Sequence, residues 1–313
     1  MKEQARQFAK KDRKPLSAKT SNKALKSGSK TDPKNTESKT LAYSDLDVSK
    51  WRDYEDIETG SLWMFSGRDK QNGHQLDYHG NCVPQILTQL ITRYTKTGDV
   101  VLDLFLGSGT SAIEAVNLGR RSVGVELKPE MVDYVREKLT EQDKGDQVVI
   151  INGNSADEQW TPKAIQRGLK QLDAAQAQFL FLHPPYADII RFSESKADLS
   201  NAESTEAFLD QFEAVARVGY ESLEPGRFAG LVIGDKYANG ELIPLGFYCM
   251  DRMNRAGFKT KSIIVKNMTG NEKAKGRMNN LWRYRALKGG FYLFKHEYVI
   301  VFEKPTSSKR AKK

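Results

Sequence analysis

The chain has 313 residues, of which 39% are hydrophobic and 28% charged, with two cysteines and a formal net charge of +9. That length is enough to bury a full core and fits one domain of ordinary size with tails; no run approaches 18 apolar residues, which excludes a helical membrane span. Cys82 and Cys249 are too few for a disulfide framework or a thiolate metal site, and the segment MKEQARQFAKKDRK has no apolar stretch of the kind a secretory leader needs, so a reduced, cytoplasmic setting without a metal is expected.

Residues 1–40 hold twelve Lys/Arg against four Asp/Glu, and residues 304–313 hold five more positives and no acid, which leaves residues 41–303 at about −4. The positive excess therefore lies in the tails. Residues 1–45, rich in Lys, Ser and Thr, are expected to be a disordered basic tail, and residues 305–313 a second one. Such tails keep a chain soluble or attract phosphates without sequence preference. The folded domain is expected over 46–304.

From Trp51 onward the pattern is that of alternating strands and helices. Strands are expected at Val100–Leu104, Ser122–Glu126, Val148–Asn152, Phe179–His183, Phe228–Ile233, Thr260–Lys266 and Glu297–Phe302. Helices are expected at Val83–Tyr94, Thr110–Leu118, Pro129–Glu141, Thr205–Ser222 and Ile243–Ala256. The last two strands have no clear helix between them and are expected to pair as an antiparallel edge. The fold class is thus α/β and Rossmann-like, with a seven-stranded, mostly parallel sheet. In open sheets of this kind ligands bind beyond the carboxyl ends of the strands, so the residues that follow each strand matter most.

After the first strand comes Asp103-Leu104-Phe105-Leu106-Gly107-Ser108-Gly109-Thr110. Gly107 and Gly109 permit a tight turn and a close backbone approach to a ligand, and Thr110 is expected to cap the helix that follows. Position 112 is Ala, where a pyrophosphate-binding fingerprint has its third glycine. Glu126, at the tip of the second strand, offers two acceptor oxygens for the hydroxyls of an adenosine ribose, or else caps the helix at Pro129. Asp157, after the third strand, is expected to read the adenine edge, unless it belongs to an ordinary turn.

The run Asp103-x-Phe105-x-Gly107-x-Gly109-Thr110 resembles the cofactor motif of the amino-group DNA methyltransferases, which act on adenine N6 or cytosine N4. His79-Gly80-Asn81-Cys82-Val83-Pro84-Gln85, followed by a helix and Gly98-Asp99, is similar to the segment that precedes this motif there. Leu231-Val232-Ile233-Gly234-Asp235 and Phe294–Phe302 resemble the family's last core motifs, so the likeness covers roughly 61–304. The cofactor motif comes before the Pro-Pro motif, which is the gamma-like order. The resemblance implies the class I methyltransferase fold and S-adenosylmethionine as cofactor, with Gly80, Pro84 and Phe105 near it. It also implies DNA as partner, and a restriction or other defence-system partner as an expectation of the same kind.

The fourth strand ends in His183-Pro184-Pro185-Tyr186. Two prolines after a buried strand force the chain to turn, and Pro184 keeps His183 extended. An exocyclic amine is a poor nucleophile because its lone pair is delocalised into the ring. Acceptors for both amino hydrogens free that lone pair to attack a methyl sulfonium; the carbonyl of Pro184 and the side chain of His183 are the expected acceptors. Tyr186 is expected to stack on a base that has left the duplex. No cysteine occurs at this loop, in keeping with direct transfer and no covalent enzyme intermediate. The family usually has Asp, Asn or Ser in the first place of this motif, so His183 is a departure that leaves adenine against cytosine open.

Between the last two strands, Lys273, Lys275, Arg277, Trp282, Arg283 and Arg285 interleave charge with aromatic rings, as a nucleic-acid contact does; a solvated loop is the other reading. Two alternatives remain at this point. One is an RNA base methyltransferase, for example on guanine N2, since those enzymes also use a Pro-Pro-aromatic loop. The other is a catalytically inactive nucleic-acid-binding module.

Overall fold

The structure, a computed structural model, describes residues 40–74, 80–268 and 279–306. The expected tail over 1–39, the residues from 307 on, and Lys273, Lys275 and Arg277 lie outside the described residues. The tail's expected limit at 45 is too late, because the chain is already packed from residue 40. Tyr43 sits edge-on against Phe228, ring centroids 4.7 Å apart, and the buried Ser44 donates its hydroxyl to the Thr92 carbonyl at 3.2 Å.

In chain order the elements are β1 (Leu62–Trp63), α1 (Pro84–Tyr94), β2 (Val100–Asp103), α2 (Thr110–Asn117), β3 (Arg121–Glu126), α3 (Pro129–Glu141), β4 (Val148–Asn152), α4 (Thr161–Gln171) and β5 (Ala177–Leu182). There follow α5 (Thr205–Ser222), β6 (Leu223–Ile233), β7 (Lys236–Ala238), β8 (Glu241–Ile243), α6 (Leu245–Arg255), β9 (Lys259–Asn267), α7 (Asn279–Gly289) and β10 (His296–Glu303). One sheet has the order β1-β9-β10-β6-β5-β2-β3-β4, and β7 with β8 forms a separate hairpin. Strands β4, β3, β2, β5 and β6 are parallel, and β10 runs antiparallel between β6 and β9. This is the expected Rossmann-like sheet. The seven expected strands are all present, and the two-residue β1 adds an eighth at the edge.

The parallel strands are mostly apolar in their central residues, as strands covered on both faces are. Leu102, Leu180, Leu182, Phe208 and Phe212 fill one side under α5. Ile86, Leu87, Phe179, Phe181 and Val299 fill the other under α1. Strand order reverses between β2 and β5, so loops diverge at their carboxyl ends and leave a crevice. Helix α7 lies where no helix was expected, and Ile243 closes a hairpin instead of opening α6.

Candidate active site

A cavity of about 850 Å³ opens at the carboxyl ends of β2, β3, β5 and β6, within the size range of sites that hold drug-sized ligands. Asp103, Phe105, Gly107, Thr110 and Glu126 line it from one side, and His183, Pro184, Pro185 and Tyr186 from the other. Gly80 lines it too, at φ +86°, a left-handed conformation that favours glycine.

The glycine turn is fastened to the tip of β3. Gly107, itself at φ +52°, donates its amide to Glu126 Oε2 at 2.8 Å, and Lys128 donates its own to Oε1 at 2.9 Å. Burial raises the Glu126 carboxyl above its ordinary value, against the pull of these two bonds. Each carboxylate oxygen has a second lone pair, so the group still accepts from a vicinal diol. Asp103 is 2% exposed, and its Oδ1 accepts from the Phe105 amide at 2.8 Å while Ser111 donates its hydroxyl to Oδ2.

Several expected residues take other parts. The N-cap of α2 is Gly109 at φ +84°, not Thr110. A Cβ on Gly109 would lie 2.7 Å from Val135, so this glycine is required for backbone shape and for packing against α3. Thr110 is the first residue of α2, and its Oγ1 accepts from Arg68 at 3.2 Å. Pro84 is the buried first residue of α1 and does not reach the cavity wall. Asp157 does not line the cavity either. Its Oδ1 accepts the amides of Gln159 and Trp160 at 3.0 and 2.9 Å, which fastens the turn into α4, while Asn154 and Ser155 face the cavity in its place. Trp282, Arg283 and Arg285 lie on α7, with Arg285 stacked 5.2 Å over the Trp282 ring, and line no part of the cavity.

At the opposite wall, burial lowers the pKa of His183, which makes its ring neutral near pH 7. His183 Nε2 lies 3.4 Å from the Tyr186 hydroxyl, and that hydroxyl donates to Glu297 Oε2 at 2.7 Å. Among the described residues nothing donates to the Pro184 carbonyl. Ala187, the next residue after Tyr186, has φ +50°, a strained value for a non-glycine residue of the kind that clusters at functional sites. Cys82, remote from this loop in sequence, also lines the cavity. Burial pushes its thiol far up, so it is no thiolate nucleophile.

Sequence reasoning missed Glu297, Asn81 and Arg68. Asn81 accepts from the Ser108 hydroxyl through Oδ1, and among the described residues its Nδ2 is buried without a partner at the cavity wall. Arg68 donates to the Cys82 carbonyl, and its Nε is likewise buried and unpartnered among the described residues. Asn81 had a signal in its neighbour Gly80, whereas Arg68 reaches the site only through the fold.

Residues 1–137 match the family described as DNA methylase, and residues 83–209, which include both the glycine turn and His183–Tyr186, match the family described as Conserved hypothetical protein 95. Over these residues the chain is similar to the amino-group DNA methyltransferases. Among its curated relatives is the Type II methyltransferase M2.DpnII of Streptococcus pneumoniae, 32% identical over 30% of this chain and 33% of that protein. The Type II methyltransferase M.BglI of Bacillus subtilis is 35% identical over 23% of this chain and 19% of that one. The chain spans a third or less of the length of the curated relatives it matches. Among solved structures, TrmN from Thermus thermophilus has a TM-score of 0.45 and 16% identity over 71% of this chain and 49% of that one.

The cofactor of this methyltransferase family is S-adenosylmethionine, and the residues present fit it. Glu126 would supply acceptors for the ribose diol, the glycine turn would allow close backbone approach, and the Asn81 amide is a buried donor without an acceptor among the described residues. The bound molecule supplies an electrophilic methyl group on a sulfonium. Glu126→Ala is expected to weaken S-adenosylmethionine binding roughly ten- to hundredfold, the range for losing about 1.5–3 kcal/mol of hydrogen bonding to a charged group. Calorimetric titration measures this directly, and an unchanged Kd would remove Glu126 from the ligand.

Proposed function

We propose that this chain transfers a methyl group from S-adenosylmethionine to the exocyclic amine of a flipped base in DNA, adenine N6 or cytosine N4, by direct attack. The observation that carries this reading is one cavity with a glycine turn on one wall and two open acceptors on the other. Those acceptors are the carbonyl of Pro184, unengaged among the described residues, and the neutral ring of His183. Together they suit the two hydrogens of an amine. The amine loses one of these protons as the new N–C bond forms and the S–C bond breaks, and the neutral imidazole is an acceptor for it. With Cys82 held as a thiol and no other cysteine in the cavity wall, direct transfer accounts for the chemistry without a covalent enzyme intermediate.

Tyr186, with the edge of its ring towards His183 (centroids 5.8 Å apart, interplanar angle 71°), provides an aromatic face for the extruded base. Helix α7 supplies Arg283, Arg285 and Lys288 with Trp282 and Tyr284 among them, a pattern that supports phosphate contact outside the cavity. Among the described residues no helix is long and apolar enough to cross a membrane. The Type II names of the relatives extend the proposal to a modification role beside a restriction or other defence partner in the cytoplasm.

Two measurements test the reading. Nucleoside analysis of DNA from cells expressing the chain should show N6-methyladenine or N4-methylcytosine, which also settles the base. Labelled cofactor offered with duplex DNA and with transfer RNA should place label in DNA. Label only in RNA would move the substrate class, and label in neither, with no cofactor binding at millimolar concentration, would leave a binding module.

A further inference from the structure

Histidine in the first place of the Pro-Pro loop raises a question that Asp or Ser does not. A neutral imidazole has one donor and one acceptor nitrogen, and only the correct tautomer presents a lone pair to an amine hydrogen. The cavity wall contains a chain of side chains able to choose between them. Glu297, the second residue of β10, accepts from Lys266 Nζ at 3.0 Å through Oε1 and from the Tyr186 hydroxyl at 2.7 Å through Oε2. Both charged partners are well covered, with side chains 12% and 5% exposed. A buried ion pair is a weak source of stability against apolar residues of the same volume, so its place beside the reacting loop favours an orienting role over a structural one.

The proton count decides the rest. Tyr186 has one hydroxyl proton, and Glu297 takes it. The phenol oxygen therefore faces His183 Nε2, 3.4 Å away, as an acceptor, and a ring nitrogen that faces an acceptor carries the hydrogen. That leaves Nδ1 bare, and no hydrogen bond reaches it among the described residues. The Tyr186 ring is kept in place from behind, since a Cβ on Gly234 would lie 2.9 Å from its Cε2. We propose that Glu297, held by Lys266, is a positioning residue that acts through Tyr186 to fix the Nε2–H tautomer of His183, so that Nδ1 is the acceptor for the substrate amine. The purpose of the device rests on the amino-methylation reading; its geometry does not.

The chain has four histidines, so 15N-histidine labelling of the full-length protein gives four rings to assign, and loss of one set in His183→Asn identifies the ring in question. Wild type is expected to show His183 protonated at Nε2 and bare at Nδ1. In Glu297→Gln the carbonyl oxygen stays on Lys266 and the amide donates to Tyr186, which turns the hydroxyl proton towards His183; the ring is expected to shift to Nδ1–H. Tyr186→Phe removes the link altogether and should leave a mixture of tautomers, and it stands in if Glu297→Gln does not fold. In both variants kcat should fall about tenfold or more, within the range of general acid–base effects, with the cofactor Kd unchanged. A wild-type ring protonated at Nδ1 overturns the proposal, and so does the same tautomer ratio in wild type and both variants. Because the tautomer is read without substrate, the Nε2–H ring with the expected shifts in both variants, in a chain that methylates neither DNA nor RNA, supports the proposal and sinks only the amino-methylation reading.

Discussion

Asp103→Asn is expected to be more stable than the wild type above pH 7 and equal to it near pH 4, while binding the cofactor less tightly. Asp103 is buried at the end of β2, and desolvation pushes its carboxyl from 3.8 up to about 7, against the hydrogen bonds from Ser111 and the Phe105 amide that favour the charge. A carboxyl whose folded pKa lies above its unfolded one is held as the acid in the folded state. Below about pH 4 both states are protonated and nothing is lost. Between about 4 and 7 the unfolded chain ionises first, so stability falls as pH rises, and above 7 the full penalty is present. A shift of about three units corresponds to at most about 4 kcal/mol. Asparagine is neutral throughout, still accepts from Phe105 through Oδ1, and donates to Ser111 in place of accepting from it. Denaturant melts from pH 4 to pH 8 should show the variant's advantage growing from about zero to roughly 2–4 kcal/mol, an order-of-magnitude range. A difference that is flat with pH would mean that the buried charge is not its cause.

A reason to keep such a charge would lie in the proposed ligand. S-adenosylmethionine carries a sulfonium cation, and an opposite charge nearby favours the ionised carboxyl. If Asp103 faces that cation, binding would offset the destabilisation of the empty site, and the same substitution should strengthen the fold and weaken the affinity. Stability and function pull apart at sites of this kind.

What the sequence made legible follows the reach of its local signals. Pro129–Glu141 and Thr205–Ser222 form helices over the expected residues because each has a start signal, proline at the first turn of α3 and the Ser204 side chain accepting from Ala207 in α5. Helix α4 was missed because its run is short, polar and interrupted by Gly168. That glycine packs closely on the sheet, since a Cβ there would lie 3.2 Å from Val149. The glycine turn and the Pro-Pro loop were legible because each is a contiguous stretch with an unusual backbone demand. Asp157 misled for a related reason: a polar residue after a strand is as good a turn fastener as a ligand reader, and only the direction of its bonds to Gln159 and Trp160 separates the two. Glu297 bonds Tyr186 from 111 residues away, and Cys82 shares the cavity wall with the Pro-Pro loop, placements that no local pattern reports.

His183→Ala is expected to lower kcat by roughly 10²–10³ with the cofactor Kd unchanged, the size of losing one preorganised hydrogen-bonding group at a reacting centre. On the proposed reading the substitution removes one of two acceptors for the amine and leaves Pro184 in place, so binding of S-adenosylmethionine should be untouched. His183→Asn restores an acceptor oxygen of the kind found in the family and should recover turnover to within about tenfold of wild type. The pH dependence separates the two residues further. Burial holds the His183 pKa below its ordinary 6.5, so the ring accepts at neutral pH and becomes donor-only as acid protonates it. The wild-type rate is therefore expected to fall on the acid side, below pH 6.5. In His183→Asn that acid limb should vanish, because the amide does not titrate. Single-turnover rates with labelled cofactor across pH 5–8 measure both effects, and a His183→Ala enzyme that transfers methyl groups at the wild-type rate would remove His183 from the reacting centre.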